Sequence, residues 1–339
     1  MRFQIKLLAS FCLVVCLSSP AFSGQWSKQS SGTLAWLHAV YFLDANQGWI
    51  AGSNGTLLTT KDGGASWKAA EKPSEDNLRD IFFTDARNGW LLCERDITKL
   101  KSQADARSYL MRTSDGGATW ERTGFFGDDK SSAQITRFIV SSDRKNAWAV
   151  GEVGSLYALE NESIWRKQAS PTRYLLRGGA FFNEREGFVI GAGATLLGTN
   201  DGGRIWRSPA LFNGENARFN SIFFATRTLG WAVGAAGKIF ATTDGGKTWR
   251  LQSSPTEADL FAVRFVSPNE GWAVGDGGVL LHTTTSGTTW KQIETNASHR
   301  LESIFLVGRE RGFAVGFGGT ILSYNSEPAM PRPRLTKTF

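Results

Sequence analysis

The sequence predicts an all-β protein, a seven-bladed β-propeller with four antiparallel strands per blade and a last blade closed by the N-terminal strand. Three observations carry that expectation. A Gly-aromatic-apolar pattern recurs at Gly48-Trp49, Gly89-Trp90, Ala147-Trp148, Gly187-Phe188, Gly230-Trp231, Gly271-Trp272 and Gly312-Phe313, with aromatic spacings of 41, 58, 40, 43, 41 and 41 residues. A second series, Trp26, Trp67, Trp120, Trp165, Trp206, Trp249 and Trp290, runs at nearly the same period, so twelve of the 13 Trp belong to the two series and Trp36 stands alone. Between Gly, Asp and Asn clusters lie short apolar stretches without helical periodicity, the pattern of short strands joined by tight turns. A unit of about forty residues and four strands is a propeller blade.

The chain starts with a leader. Arg2 and Lys6 precede an apolar run from Leu7 to Leu17, and Ala21-Phe22-Ser23 ends it. A basic start, about a dozen apolar residues and a small-x-small end describe a secretory signal peptide, 1–23, cut after Ser23. The run is shorter than the ~20 residues of a membrane span. Val15 stands before Cys16 where a lipid-anchoring motif wants a small residue, so the product is expected to be soluble and exported. That places it in a periplasm, or in a thylakoid lumen if the host is photosynthetic. The leader takes Cys12 and Cys16 with it, leaves Cys93 alone, and lowers the formal charge from +7 to +5. One Cys excludes an intramolecular disulfide.

The blades follow in order over 24–324. In the fifth, Phe219 to Phe224 is an inner strand, Trp231-Ala232-Val233 the second, Lys238 to Thr242 the third and Lys247 to Gln252 the fourth. The seventh unit, Leu301 to Tyr324, lacks a Trp-bearing fourth strand, and Gln25-Trp26-Ser27-Lys28 is expected to supply it. The 58-residue spacing marks an insertion at 94–107 between the second and third strands of the second blade. Residues 325–339 read as a flexible basic tail.

The turn before each Trp of the second series has its own chemistry. Thr60-Lys61-Asp62-Gly63-Gly64-Ala65-Ser66-Trp67 returns at 113–120, 199–206 and 242–249, with Asp115, Asp201 and Asp244 in the place of Asp62. Asp caps such a turn by accepting backbone N–H groups. At 283–290 Thr285 replaces the Asp. This turn resembles the Asp-box, or bacterial neuraminidase repeat. The whole unit, Gly-Trp-Ala-Val-Gly followed by Thr-x-Asp-Gly-Gly-x-Thr-Trp, resembles the photosystem II assembly and stability factor family from Gln25 to about Tyr324. The resemblance implies a non-catalytic scaffold that helps a membrane-protein complex assemble from the exported face, and an Arg-bearing binding surface. The four Asp lie one per blade and are expected to be structural.

Counting eleven residues back from each second-strand aromatic gives His38, Arg79, Arg137, Arg177, Asn220, Phe261 and Glu302, the expected rim of the central channel. Arg218 and Arg300 lie two residues further upstream on later blades. Arg forks suit carboxylate-bearing protein surfaces. The insertion adds Arg95, Lys99, Lys101 and Arg107 against Glu94, Asp96 and Asp105, on the same face. A protein partner is therefore expected, with the chain itself a monomer. Export and the absence of basic runs argue against nucleic acid. The three His have no metal-ligand spacing, and no cofactor is expected. The alternatives are a carbohydrate- or envelope-binding propeller and a sialidase-like hydrolase. The second needs an accessible Tyr nucleophile, and three of the five Tyr, Tyr41, Tyr157 and Tyr324, fall in repeat strands.

Overall fold

A computed structural model describes residues 24–326 except 97, 99, 103–105, 124–132, 162, 171 and 215. The leader at 1–23, Lys99, Asp105 and most of the tail lie outside the described residues. Seven sheets form the ring. Their inner strands are Leu37–Phe42, Asn77–Phe83, Ile135–Val140, Leu176–Phe181, Phe219–Phe224, Leu260–Phe265 and Leu301–Val307. The second strands that follow them are almost wholly buried, because both of their faces meet neighbouring blades. The closure is present: Gln25–Gln29 pairs antiparallel with Ile321–Asn325, Trp26 opposite Tyr324. The last strand includes Asn325, the first residue of the expected tail.

The Trp excess is the glue between blades. In blade 1, Trp49 of the second strand stacks on Phe83, the last residue of the next blade's inner strand, at 3.9 Å between centroids. Trp120 of that next blade meets Phe83 edge-on at 5.9 Å. The three-ring cluster recurs at Trp148, Phe181 and Trp206 and at Trp231, Phe265 and Trp290. Offset stacks and edge contacts are the favoured aromatic geometries. In five blades the Gly before the second-strand aromatic lies under a Phe ring of its own blade, and in blade 7 Gly312 lies under Leu306. A Cβ on Gly48 would sit 2.7 Å from the Phe42 ring. Blade 3 bears this out, since Ala147 is tolerated there opposite Val140, which replaces the Phe.

Two blades depart from four strands. Pro209, which has no N–H, stands three residues after Trp206. At the matching place Ala70, Gln168 and Ile293 donate to the carbonyls of Leu57, Leu156 and Leu280, each at 2.8 Å. The fourth strand of blade 4 is therefore reduced to one bridge, Gly198 to Arg207. The chain then crosses outward, and Ala210–Phe212 pairs in parallel with Thr248–Gln252, giving blade 5 a fifth strand.

Candidate functional site

Every inner strand carries a bulge near its start, and the skipped residue faces the channel mouth. In blade 1 Leu37 pairs with Gly52 and Ala39 with Ala51, leaving His38 unpaired. The same skip falls on Arg79, Arg177, Asn220, Phe261 and Glu302. Bulges re-aim side chains in this way. Blade 3 differs from the expected ring. Its first turn, 141–146, is one residue longer than the turn at 43–47, and Arg144 takes φ of +59° in it. The skipped residue is therefore Thr136, and Arg137 lies one step deeper, at the level of Asp80 rather than of Arg79.

The expected rim residues do line one mouth, but they are not equivalent. Arg79 is spent internally. Its Nη1 lies 3.0 Å from His38 Nδ1, its Nη2 3.4 Å from Glu302 Oε1, and its Nε 3.3 Å from Glu94 Oε2. His38 Nδ1 is also 3.4 Å from Glu302 Oε2. Burial pushes the His38 pKa below its usual value, so the ring is neutral near pH 7. Burial pushes Glu302 up, but its hydrogen bond to His38 and the nearby charges, Arg79 among them, hold it below the ordinary carboxylate value. This network ties blades 1, 2 and 7 together.

Arg177, Arg218 and Arg300 are what the mouth offers to solvent. Arg177 and Arg218 are exposed, and Arg300 is half-buried. Arg300 is held by Asp276 at 3.4 Å and packs 4.2 Å over Phe261 and 5.5 Å over Trp36. Arg177 is pushed below its usual pKa by burial and then by the charge of Arg218, with Arg300 and Arg137 adding to it. Exposed apolar side chains share this face. Leu34 and Tyr174 lie in loops before inner strands, and Val153 and Phe317 in turns after second strands. Backbone bonds such as Gly154 N–H to the Tyr174 carbonyl, 3.0 Å, and Phe317 N–H to the Arg300 carbonyl, 2.9 Å, join the two kinds of connection. Phe317 packs edge-on against Trp36 at 5.5 Å and stacks on His299.

The insertion stands on the same face. Its foot is closed by Arg95 N–H to the Arg107 carbonyl, 2.9 Å. Arg107 bonds Glu152 and Gln134 of blade 3 at 2.9 and 2.8 Å. Arg95 lies 5.8 Å over the Tyr109 ring of its own blade and does not line the mouth. Lys101 is exposed.

The Asp of each Asp-box turn is engaged locally. Asp62 Oδ1 accepts from Thr60 Oγ1 and from Ser66 N–H, at 2.6 and 3.0 Å, and Thr60 Oγ1 accepts Gly64 N–H at 2.9 Å. Asp115, Asp201 and Asp244 repeat the pattern. Thr285 Oγ1 substitutes at 283–290, accepting Thr289 N–H at 2.9 Å.

Two channel residues were missed by the eleven-residue count. Asp80 faces Arg137 across 4.0 Å. Arg264 has its Nη1 2.8 Å from the Val263 carbonyl, and burial, then the Arg137 charge, bring its pKa down to about 10. Both were visible in the repeat columns. Arg264 occupies a column otherwise filled by Tyr41, Phe82, Ile139, Ala180, Phe223 and Phe305, while Asp80 and Arg137 share a column with small residues.

The fold and this Arg-bearing mouth define a seven-bladed propeller of Asp-box repeats with a cationic, aromatic-flanked channel entrance. The family model described as photosynthesis system II assembly factor YCF48 matches residues 157–250 and 219–301. Over that stretch the chain is similar to photosystem II assembly factors. It is 29% identical over 140 residues to the photosystem II assembly lipoprotein Ycf48 of Synechococcus sp. (strain CC9902), an alignment covering 40% of this chain and 38% of that protein. The chain thus spans well under half the length of that relative. A solved structure of YCF48 bound to D1 peptide superposes with a TM-score of 0.70 at 21% identity, covering 89% of this chain and 97% of that one. Virginiamycin B lyase of Staphylococcus aureus, an enzyme, superposes at 0.73 with 10% identity, covering 90% and 100%. At these identities the structural likenesses speak for the fold. No helix among the described residues is long and apolar enough to cross a membrane.

Proposed function

We propose that this protein is a non-catalytic scaffold that works at the exported face and binds a carboxylate-bearing segment of a membrane-protein subunit, assisting assembly or stability of its complex. One observation carries the reading: Arg177, Arg218 and Arg300 converge on one mouth, beside half-buried Trp36 and exposed Phe317 and Tyr174. Arg and aromatic anchors are the side chains that dominate protein interfaces, and guanidinium forks match carboxylates. The names of its relatives, assembly factors of photosystem II, point the same way, as does the peptide bound by YCF48. On this reading the Asp-boxes and the His38–Glu302–Arg79 network hold the mouth in shape, and the insertion borders it.

Fluorescence anisotropy with a labelled Asp/Glu-rich peptide tests it. The triple substitution Arg177→Ala, Arg218→Ala, Arg300→Ala should weaken binding by at least about tenfold and flatten its dependence on salt. The Asn/Gln counterpart of the peptide should bind the unsubstituted protein weakly. Equal affinity for the two peptides, or an unchanged triple variant, would remove the mouth as the binding surface.

A further inference from the structure

Beneath the mouth the channel opens into a chamber of about 350 Å³ bounded by the inner strands. Its charged lining is uneven. Asp80 is the one carboxylate among the described lining residues, whereas Arg137, Arg144 and Arg264 all reach it. Asp80 is already engaged: Oδ2 accepts Phe138 N–H at 2.8 Å and Oδ1 accepts Ile81 N–H at 3.0 Å. Arg144 reaches across the far end to the Leu43 carbonyl at 2.9 Å. Arg264 gives one N–H to the Val263 carbonyl, and Arg137 approaches Asp80 only to 4.0 Å. A guanidinium carries five N–H donors. Most of those on Arg137 and Arg264 therefore have no protein acceptor among the described residues and face the lumen.

Arg264 and the partly exposed Arg137 face each other over the one chamber carboxylate, Asp80, and like charges held this close are costly where water is scarce. An anion in the lumen would offset that cost and take up the idle donors through charge-assisted bonds. The chamber's volume falls at the small end of ligand pockets, room for a small ligand with a few waters. A narrower neck of about 70 Å³, bordered by Arg177, Asn220, Phe261 and the Glu302 carboxylate, which is already engaged by His38 and Arg79, lies between it and the mouth.

We propose that the chamber is a binding site for a small oxyanion, with Arg137 and Arg264 as its clamps. The ligand is distinct from the polypeptide proposed at the mouth, and the inference does not depend on that reading, because the probe is a free ion. Inorganic phosphate, sulfate and a small dicarboxylate such as succinate share the recognised chemistry, and a titration with each separates the sources.

The test is thermal unfolding of the mature protein, residues 24–339, with each anion added while sodium chloride holds ionic strength constant. At least one of the three anions should raise Tm by about 4 °C at a hundredfold excess over its Kd. Arg264→Gln and Arg137→Gln should each move the midpoint of that effect at least tenfold upward, while Lys68→Gln, on an exposed outer strand, should leave it in place. If Arg264→Gln fails to fold, equilibrium dialysis of the labelled anion against Arg137→Gln and the unsubstituted protein gives the same comparison. Three anions that act no better than chloride, or Arg variants that respond as the unsubstituted protein does, would overturn the proposal.

Discussion

The closing seam lies inside blade 7, where a strand from the other end of the chain pairs with Ile321–Asn325, and Trp26 is its anchor. Trp26 is 7% exposed, lies 5.4 Å from the Tyr324 ring, and joins the cluster of Trp272, Leu301 and Leu322. Replacing it with Ala removes a buried Trp at a site whose surrounding strands cannot collapse without opening the ring. Such substitutions cost about 3–5 kcal/mol. Spread over about 300 residues at ~2.1 cal/mol/K each, that corresponds to a fall in Tm of about 5–8 °C. Beginning the chain at Ser31 instead of Gly24 removes the whole strand. It bares the Ile321–Asn325 edge and so should cost at least as much as Trp26→Ala. Calorimetry of the three proteins at one pH reads the effect directly. A chain starting at Ser31 that melts within about 1 °C of the chain starting at Gly24 would refute the closure, because five paired residues and a buried Trp cannot be lost for nothing.

Acid should act in two stages. His38 is buried with its pKa pushed below 6.5, so the unfolded chain binds a proton first. Its contribution is complete above pH 6.5 and is lost as pH falls from there through the folded value. His38→Gln should flatten the Tm profile in that window. The Asp-box carboxylates, held below 3.8 by their Ser, Thr and backbone donors, contribute fully above pH 3.8 and lose that contribution only below it. Asp62→Asn should change the profile there and leave the His38 window alone. Two glycines of similar φ should respond differently to Ala. Gly64, at φ +85°, would put its Cβ 2.2 Å from the Phe313 ring, combining overpacking of about 1–3 kcal/mol with about 1 kcal/mol of backbone strain. Gly277, at φ +61°, has nothing within 4 Å of that Cβ, leaving the strain of about 1 kcal/mol alone. Urea midpoints of the two variants test the difference, and equal midpoints would refute the packing argument.

The blades, their order and the closing strand were legible because each repeats a local rule: a Gly under a Phe ring, a Thr and an Asp around a turn, a Trp between blades. What was not legible depended on exceptions to the period. A fixed count of eleven placed Arg137 on the rim, and one extra residue in the turn at 141–146 moved it down to Asp80. Pro209 was visible as a letter, but its effect required knowing that the position it fills donates a ladder bond in other blades. The rim read from the sequence had Arg on three consecutive blades, with no sign that they differ. Arg79 proved to be taken up by His38 and Glu302, residues 264 positions apart in sequence that meet only after the ring has closed. The signal of Arg264 lay not at the start of its inner strand but near its end, as one charge in an otherwise apolar column.

The crossing of residues 207–212 from blade 4 to the outer edge of blade 5 also has a mechanical meaning. A ring assembled from one chain has junctions of unequal strength, and loading or proteolysis finds the weakest. The blade 4–5 junction carries a splint, since the same few residues bridge to Gly198 on one side and run beside Trp249 on the other. Blade 7 is completed by a strand only five residues long, Gln25–Gln29, and it meets blade 1 through the stack of Phe313 on Phe42 and the His38–Glu302 contact. The ring should therefore part first where Gln25–Gln29 leaves Ile321–Asn325, and then swing as a chain of blades whose stiffest joint lies on the far side, so that one detachment near the N-terminus opens the channel.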